Sequence, residues 1–219
     1  MQILSIIDFD KQLLLFLNGF HNQFFDTFMW MISSKELWVP LYMSVIYYFF
    51  KNTDKKTGLY ILLACILCIT LCDQISASII KPLFERWRPS RDSSISDLVH
   101  IVNGKRGGKY GFVSSHAANV FGLAIFSALL FKNRLYSVVI ISWAALVSYS
   151  RVYLGVHFPG DIICGGILGS ALGYLLHKVL GRFTDTRKVH HSSLSIILIV
   201  LAVTIFSIIA TSKYVHFAN

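Results

Sequence analysis

Charged residues are scarce in this chain of 219 residues. They make up 14% of the sequence, against about 25% in an ordinary soluble domain, while 55% of the residues are hydrophobic and the mean hydropathy is +0.62. So little charge cannot cover a folded domain with a water-facing surface. Four prolines and fourteen glycines also argue against a fibrous or disordered protein. The composition therefore indicates a membrane protein.

Cysteine is equally sparse, with four residues in all. Cys65, Cys68 and Cys72 fall at helical spacing inside one apolar run, and Cys164 lies in another. This pattern predicts buried packing residues rather than a disulfide framework or a metal site. Residues 1–7 have no basic stretch and no small-residue cleavage site follows them, so no cleavable signal peptide is expected.

Long apolar runs are abundant. They cover residues 37–50, 58–80, 113–131, 135–153, 157–180 and 194–212. Most are long enough to cross a bilayer at about 1.5 Å per residue. Residues 9–33 mix aromatic with polar and charged side chains, which is typical of an amphipathic helix in the interface. The predicted fold is all-α: one polytopic transmembrane helix bundle over residues 1–219, with about six spans and an N-terminal interfacial amphipathic helix.

The distribution of basic residues predicts how the bundle is oriented. The net charge is +9, but its basic residues cluster in short loops between apolar runs, so no nucleic-acid partner is predicted. The basic loops at 51–56, 132–134 and 181–191 share one side, which the positive-inside tendency makes the cytoplasm. Residues 81–112 and 151–159 then share the outer face. The first of these segments nevertheless holds seven basic residues, and a phosphate-binding site would account for them: Lys81, Arg86, Arg88, Arg91, Lys105, Arg106 and Lys109.

The outer segment begins with the stretch KPLFERWRP, from Lys81 to Pro89. Lys81 and Arg88 are seven residues apart, close to two helical turns, so we expect both side chains to project toward one point. Taken alone, the pair is equally typical of basic side chains that extend from a helix end to the membrane interface.

A second stretch, VSSH, opens the third apolar run at Val113–His116. Ser114 is predicted to be a helix N-cap, followed by a turn with free backbone N–H groups. Such a terminus attracts anions through its unsatisfied donors and aligned dipoles. Alone, however, this stretch is typical of an ordinary cap beside a structural histidine.

The third stretch, SRVYLGVHFPGD, runs from Ser150 to Asp161. Pro159 fits the first turn of a helix, so His157 should lie just outside that turn and Asp161 within it. A carboxylate at that distance orients the imidazole and favours its charged form. Arg151 adds a bidentate donor for phosphate oxygens. Together, the three stretches favour phosphoryl transfer through a histidine nucleophile at the outer face.

These residues give the chain a clear resemblance to the type 2 phosphatidic acid phosphatases, membrane lipid phosphatases related to the vanadium-dependent haloperoxidases. The family pattern reads K-x6-R-P, then P-S-G-H, then S-R-x5-H-x3-D. The first and third parts match completely, whereas Val113 and Ser115 replace the proline and glycine of the second. The resemblance covers about residues 58–180, the predicted catalytic core. Residues 1–36 are then the interfacial segment, and residues 181–219 a cytoplasmic loop with the final span.

The resemblance implies roles for three catalytic residues. His157 would attack phosphorus and form a phosphohistidine, while Asp161 holds the attacking tautomer. His116 would protonate the leaving group and then activate water. Phosphate would be bound by Lys81, Arg88, Ser114, Ser115 (through its backbone N–H) and Arg151. Because three cations neutralise the phosphate oxygens, neither a metal ion nor another cofactor is implied.

The predicted partners are the bilayer and a membrane lipid phosphate, in a bacterial inner (cell) membrane with the site facing the periplasm or exterior. Undecaprenyl diphosphate, lipid A and phosphatidic acid or phosphatidylglycerophosphate all remain open as substrates. The alternatives are a non-catalytic anion-binding protein or transporter, and a vanadate-dependent peroxidase. Asp73 is predicted either to form an ion pair with Lys81 or Arg88 or to make a polar helix contact, with even weight. His190 and His191 are expected to be solvated.

Overall fold

The computed structural model describes residues 2–185 and 194–215, and this part of the chain is α-helical. The helices are α1 (Gln2–Asn18), α2 (Gln23–Ser33), α3 (Val39–Asn52), α4 (Lys55–Gln74), α5 (Lys81–Phe84), α6 (Ser115–Phe131), α7 (Arg134–Tyr153), α8 (Pro159–Phe183) and α9 (Ser195–Tyr214). A π-helical stretch, Ile75–Ile80, joins α4 to α5 without a break. The predicted all-α bundle is confirmed.

Within the described residues, four helical segments are long and apolar enough to cross a membrane: Lys55–Phe84, Arg134–Tyr153, Pro159–Phe183 and Ser195–Tyr214. Helix α6 is apolar but has 17 residues, and α3 has 14. The count of six spans therefore stays a prediction. Helix α8 continues to Phe183, past the predicted start of the last cytoplasmic loop. His190 and His191 lie outside the described residues.

The N-terminal segment holds two helices, α1 and α2, where the sequence pattern of residues 9–33 suggested one amphipathic helix. The break falls at residues 19–22, where the Asn22 side chain accepts a hydrogen bond from the Phe25 backbone N–H and caps α2. Helix α1 ends against the bundle, because the Asn18 amide donates to the backbone oxygen of Tyr153 (2.6 Å). Its position at the membrane interface stays a prediction.

The main apolar core is formed by buried side chains of α2, α3, α4, α6, α7, α8 and α9. Trp38 and Trp143 meet edge to face there, with ring centroids 5.4 Å apart. The Trp38 indole N–H donates to the backbone oxygen of Ile32 (2.9 Å), so this buried ring has a polar partner as well as apolar contacts. Large apolar side chains cover the outside of the bundle, as a lipid-facing surface requires; examples are Leu83, Ile163, Ile167 and Phe206.

Helices α6 and α8 pack backbone to backbone. Gly165, Gly169 and Gly173 recur every fourth residue on α8, facing small residues of α6. A Cβ atom at Gly169 would overlap the carbonyl oxygen of Ala118, and one at Gly173 would overlap that of Gly122. Small residues permit this close approach between helices in a membrane. The packing holds the N-terminal ends of α6 and α8 together, where the second and third sequence motifs lie.

Candidate active site

Lys81 and Arg88 reach the outer end of the bundle from different kinds of backbone. Helix α5 ends at Phe84, since Glu85 adopts a left-handed conformation with φ of 46°. Arg88 follows in extended conformation, φ −72° and ψ 154°. The expectation that the two side chains share one helix face two turns apart is therefore wrong, although both residues do reach the site.

The extended segment holds Arg88 over the histidine of the third motif. Trp87 pairs with Tyr110 in an isolated antiparallel bridge, and the Gly111 N–H donates to the backbone oxygen of Arg86 (2.8 Å). Arg88 Nη1 lies 2.9 Å from His157 Nε2 and also donates to the backbone oxygen of Val156 (2.8 Å). These two contacts fix the Arg88 guanidinium beside Nε2 of the imidazole.

His157 is buried, with 2% of its surface exposed, and its contacts define its tautomer. Because a guanidinium can only donate, Nε2 must accept from Arg88 and the ring proton must sit on Nδ1. Nδ1 faces Asp161 Oδ2 at 3.4 Å. Burial, followed by the charges of Arg88 and Arg151, holds the pKa of His157 well below its usual value. The ring is therefore neutral at pH 7, with a lone pair on Nε2.

The start of α8 is built as its sequence predicts. Pro159 occupies the first turn, and Asp161 lies within that turn, fully buried. Asp161 Oδ2 accepts from the backbone N–H of Phe158 (3.0 Å), which closes the helix terminus. His157 lies two residues before the helix, so the predicted arrangement of the histidine and the carboxylate is present.

The second motif lies against the first. Ser114 caps α6 by accepting from the Ala117 N–H (3.4 Å), and its own N–H donates to the backbone oxygen of Asp161 (3.0 Å). The Ser115 hydroxyl accepts from Lys81 Nζ (2.6 Å) and from the Ser76 hydroxyl (2.7 Å). The serine that replaces the family's glycine therefore anchors the lysine of the first motif.

Arg151 and His116 complete the cluster. Arg151 is buried, with 5% of its surface exposed, and donates through Nη1 to the Ser33 hydroxyl. His116 lies in the first turn of α6, within electrostatic reach of the Arg151 guanidinium. Within residues 2–185 and 194–215, Arg88 Nε and Arg151 Nε are buried donors without a hydrogen-bond partner. Unpaired buried donors are costly, and an anion would satisfy them.

A predominantly apolar cavity of about 330 Å³ extends from His116 into the bundle. Lys35, His116 and Asn119 line its polar part; the remaining walls are mainly aliphatic and aromatic, including Leu41, Phe49, Leu123, Ile140 and Trp143. Asn119 Oδ1 is buried and has no hydrogen-bond partner among the described residues. The cavity thus has His116, a candidate proton donor, in its polar part, and its other walls are apolar.

Arg86 belongs to the site, although sequence reasoning gave it no role of its own. Arg86 bonds to Asp161 (2.9 Å) and to Asp10 of α1 (2.7 Å). Arg86 lies inside the first motif, but nothing in its spacing distinguished it from the other six basic residues of the outer segment. Asp73 forms no ion pair with Lys81 or Arg88 in the described part of the chain. No group of three His, Cys, Asp or Glu side chains that could hold a metal occurs within the described ranges.

Comparisons with known proteins agree with this arrangement. The profile of the PAP2 superfamily matches residues 58–185. The chain is 48% identical to the lipid A 4'-phosphatase of Bacteroides thetaiotaomicron over 81% of its own length and 79% of the relative's, and 41% identical to that of Porphyromonas gingivalis over 80% and 74%. It is 30% identical to the undecaprenyl-diphosphatase of Sulfolobus acidocaldarius over 64% and 61%.

Solved structures show the same fold. A transmembrane PAP2-type phosphatidylglycerolphosphate phosphatase from Bacillus subtilis superimposes with a TM-score of 0.62 at 23% identity, covering 83% of this chain and 89% of that one. Aquifex aeolicus LpxE gives 0.57 at 23% identity, covering 76% and 93%. The helical bundle and its relatives define a membrane-embedded phosphatase. The chain belongs to the PAP2 superfamily.

Proposed function

We propose that this membrane lipid phosphatase removes the 4'-phosphate of lipid A through a phosphohistidine intermediate. The observation that carries the substrate assignment is the high identity to two lipid A 4'-phosphatases over about four-fifths of the chain. The cavity beside His116 supports a lipid substrate, because it offers an apolar surface on the side where a leaving group meets its proton donor.

In the first step, His157 Nε2 attacks phosphorus, forming a P–N bond as the P–O bond to the lipid breaks. His116 gives its proton to the departing alkoxide, so the lipid leaves as an alcohol. Asp161 keeps the Nδ1 proton of His157 in place and stabilises the charge that develops on the ring. Arg88 now donates to Nε2, so we expect phosphate to draw this guanidinium away and free the lone pair.

In the second step, water attacks phosphorus and the P–N bond breaks. His116, which lost its proton in the first step, takes one from the water and is ready for another cycle. Inorganic phosphate is released and neutral His157 is regenerated. One histidine therefore serves as acid and then as base, while the other carries the phosphoryl group.

Lys81, Arg88 and Arg151 would hold the phosphoryl oxygens, together with the Ser114 side chain and the N–H of Ser115. The two unpaired guanidinium nitrogens support this role for the arginines. Three cations and the N-terminal end of α6 supply the charge neutralisation that phosphoryl transfer requires. We therefore propose a metal-independent reaction.

A diphosphate lipid is the second candidate substrate. The Sulfolobus relative is an undecaprenyl-diphosphatase, and the outer segment of this chain carries the further basic residues Lys105, Arg106 and Lys109. These residues could meet a second phosphate. Their electrostatic attraction would be strongest for a substrate with two adjacent phosphates.

A substrate panel tests the proposal directly. The protein, solubilised in detergent, is given lipid A, undecaprenyl diphosphate and phosphatidic acid, each with and without EDTA. We expect the highest kcat/KM for lipid A, with loss of the 4'-phosphate detected by mass spectrometry, and unchanged rates in EDTA. Preference for the diphosphate would replace the substrate assignment. Loss of activity in EDTA that Mg²⁺ restores would contradict the metal-independent mechanism.

We further propose that the protein lies in the bacterial inner (cell) membrane with its site facing the periplasm or exterior. The basic loop at 51–56 and the end of α8 lie on the same side, since the Thr57 and Thr184 hydroxyls are 2.8 Å apart. The site lies at the other ends of α4 and α8. Positive-inside orientation then puts the site outside the cytoplasm.

Cysteine labelling in intact cells tests this orientation. In a background lacking the four native cysteines, Ser93→Cys places a thiol on the exposed outer segment, and Lys55→Cys places one on the opposite side. We expect an impermeant thiol reagent to label Ser93→Cys in intact cells and Lys55→Cys only after lysis. The reverse pattern would show the opposite topology.

A further inference from the structure

An arginine that contacts no substrate in the proposed mechanism lies behind the nucleophile. Arg86 bridges two carboxylates: Nη1 donates to Asp161 Oδ1 (2.9 Å) and Nη2 donates to Asp10 Oδ2 (2.7 Å). Its guanidinium also lies over the Phe158 ring, with Cζ 4.2 Å from the centroid. Ion pair, hydrogen bonds and stacking together leave this side chain a single position.

The second carboxylate bonded to Arg86, that of Asp10, comes from the N-terminal helix α1. Asp10 lies on α1, and its Oδ1 accepts from the backbone N–H of Gly160 in the first turn of α8 (2.8 Å). A Cβ atom at Gly160 would lie 2.7 Å from Asp10 Oδ2, so only glycine leaves room for this contact. Asp10 therefore ties both Arg86 and the start of α8 to α1.

The bridge determines how the Asp161 carboxylate is turned. Oδ1 is taken by Arg86, while Oδ2 accepts from the Phe158 N–H and faces His157 Nδ1. Since both oxygens are fixed and the carboxylate is fully buried, it cannot rotate away from the histidine. A Cβ atom at Gly111 would lie 2.9 Å from Asp161 Oδ2, so the backbone at Gly111 also packs closely against the carboxylate.

We propose that Arg86 is a positioning residue for His157, acting through Asp161, and that Asp10 in turn positions Arg86. The N-terminal helix, which precedes the residues matched by the family profile, would thereby be part of the catalytic apparatus. This inference rests on the proposed function, in which His157 is the nucleophile.

Charge distinguishes this role from a purely structural one. His157 and its carboxylate are faced by Arg86, Arg88, Arg151, Lys81, and the imidazole of His116. Arg86→Gln removes one positive charge, which raises the pKa of His157, so the acidic limb of the pH–rate profile moves to higher pH. Arg86→Lys keeps the charge and should leave the limb near its wild-type position. Asp10→Asn removes a negative charge and cannot move the limb upward.

The experiment measures kcat and KM against pH with p-nitrophenyl phosphate for wild type, Arg86→Gln, Arg86→Lys, Asp10→Asn and the double variant Asp10→Asn/Arg86→Gln. We expect Arg86→Gln to lower kcat by about tenfold to a hundredfold, by analogy with loss of the hydrogen-bonding partner behind a metal-bound histidine, and to shift the acidic limb upward. Arg86→Lys should recover part of kcat. The double variant should be no slower than Arg86→Gln alone, because Asp10 acts through Arg86.

Lys11→Gln is the matched control. Lys11 is the neighbour of Asp10 on α1 and also contacts the outer segment, through an ion pair to Asp92 (2.8 Å), but it does not touch Arg86. It should retain the wild-type rate and profile, and thermal unfolding in detergent checks that every variant is folded. Wild-type kcat and profile in folded Arg86→Gln, or additive losses in the double variant, would overturn the inference while leaving the nucleophile intact. Activity retained in His157→Ala would instead overturn the proposed function.

Discussion

His157→Ala should abolish turnover with every phosphate ester, including esters with good leaving groups. The variant lacks the atom that bonds to phosphorus, and no other described side chain occupies its place beneath Arg88. The expected loss in kcat is on the order of 10⁶-fold, the scale seen when covalent catalysis loses its nucleophile. Rapid quenching of the first turnover should trap an acid-labile, base-stable phosphoenzyme in the wild type and none in the variant.

A second histidine provides the control for this measurement. His177 lies on α8, half-buried, and its ring faces Phe126 rather than the site. His177→Ala should form the phosphoenzyme at the wild-type rate. Phosphoenzyme persisting in His157→Ala would refute the assignment of the nucleophile, and its absence from wild type under the same quench would refute a covalent route.

The effect of His116→Ala should depend on the leaving group. General acid catalysis contributes about 10²–10⁴-fold, and an alkoxide leaving from a lipid needs a proton far more than p-nitrophenolate does. We therefore expect phosphoenzyme formation from the lipid phosphate to slow by about that factor, while p-nitrophenyl phosphate reacts at close to the wild-type rate. Breakdown of the phosphoenzyme should be slow with both substrates, because the same imidazole activates water.

Measurement of the first turnover separates these effects, since steady-state rates would report only the slow second step. His177→Ala, a change remote from the site, is the comparison here as well, and it should form the phosphoenzyme at the wild-type rate with both esters. Equal losses of phosphoenzyme formation with the two esters in His116→Ala would argue against the acid role.

The parts of the site that were predictable have local causes. Serine before an apolar run caps a helix, and proline in a first turn marks where a helix begins, so the ends of α6 and α8 follow from a few neighbouring residues. Once Pro159 fixes the start of α8, the positions of His157 before the helix and Asp161 in its first turn follow. Apolar run lengths likewise predicted the helical bundle.

The parts that escaped prediction depend on distant or irregular backbone. Lys81 and Arg88 converge although the helix stops at Phe84, because a left-handed residue and a bridge between Trp87 and Tyr110 redirect the chain. The bond between Arg86 and Asp10 joins residues 76 positions apart. Periodicity carries no information about such a pair, so its discovery required the three-dimensional arrangement.

The glycine contact between α6 and α8 separates the chemistry of this protein from its choice of lipid. Main-chain atoms of Ala118 and Gly122 contact glycines of α8. The distance between the N-terminal ends of α6 and α8, near which the two histidines lie, therefore does not depend on any bulky side chain. The walls of the cavity beside His116 come mainly from other helices and can change size or shape while that spacing is preserved. On the proposal that the lipid occupies this cavity, substitutions in its walls would change the lipid preference without altering the spacing between α6 and α8.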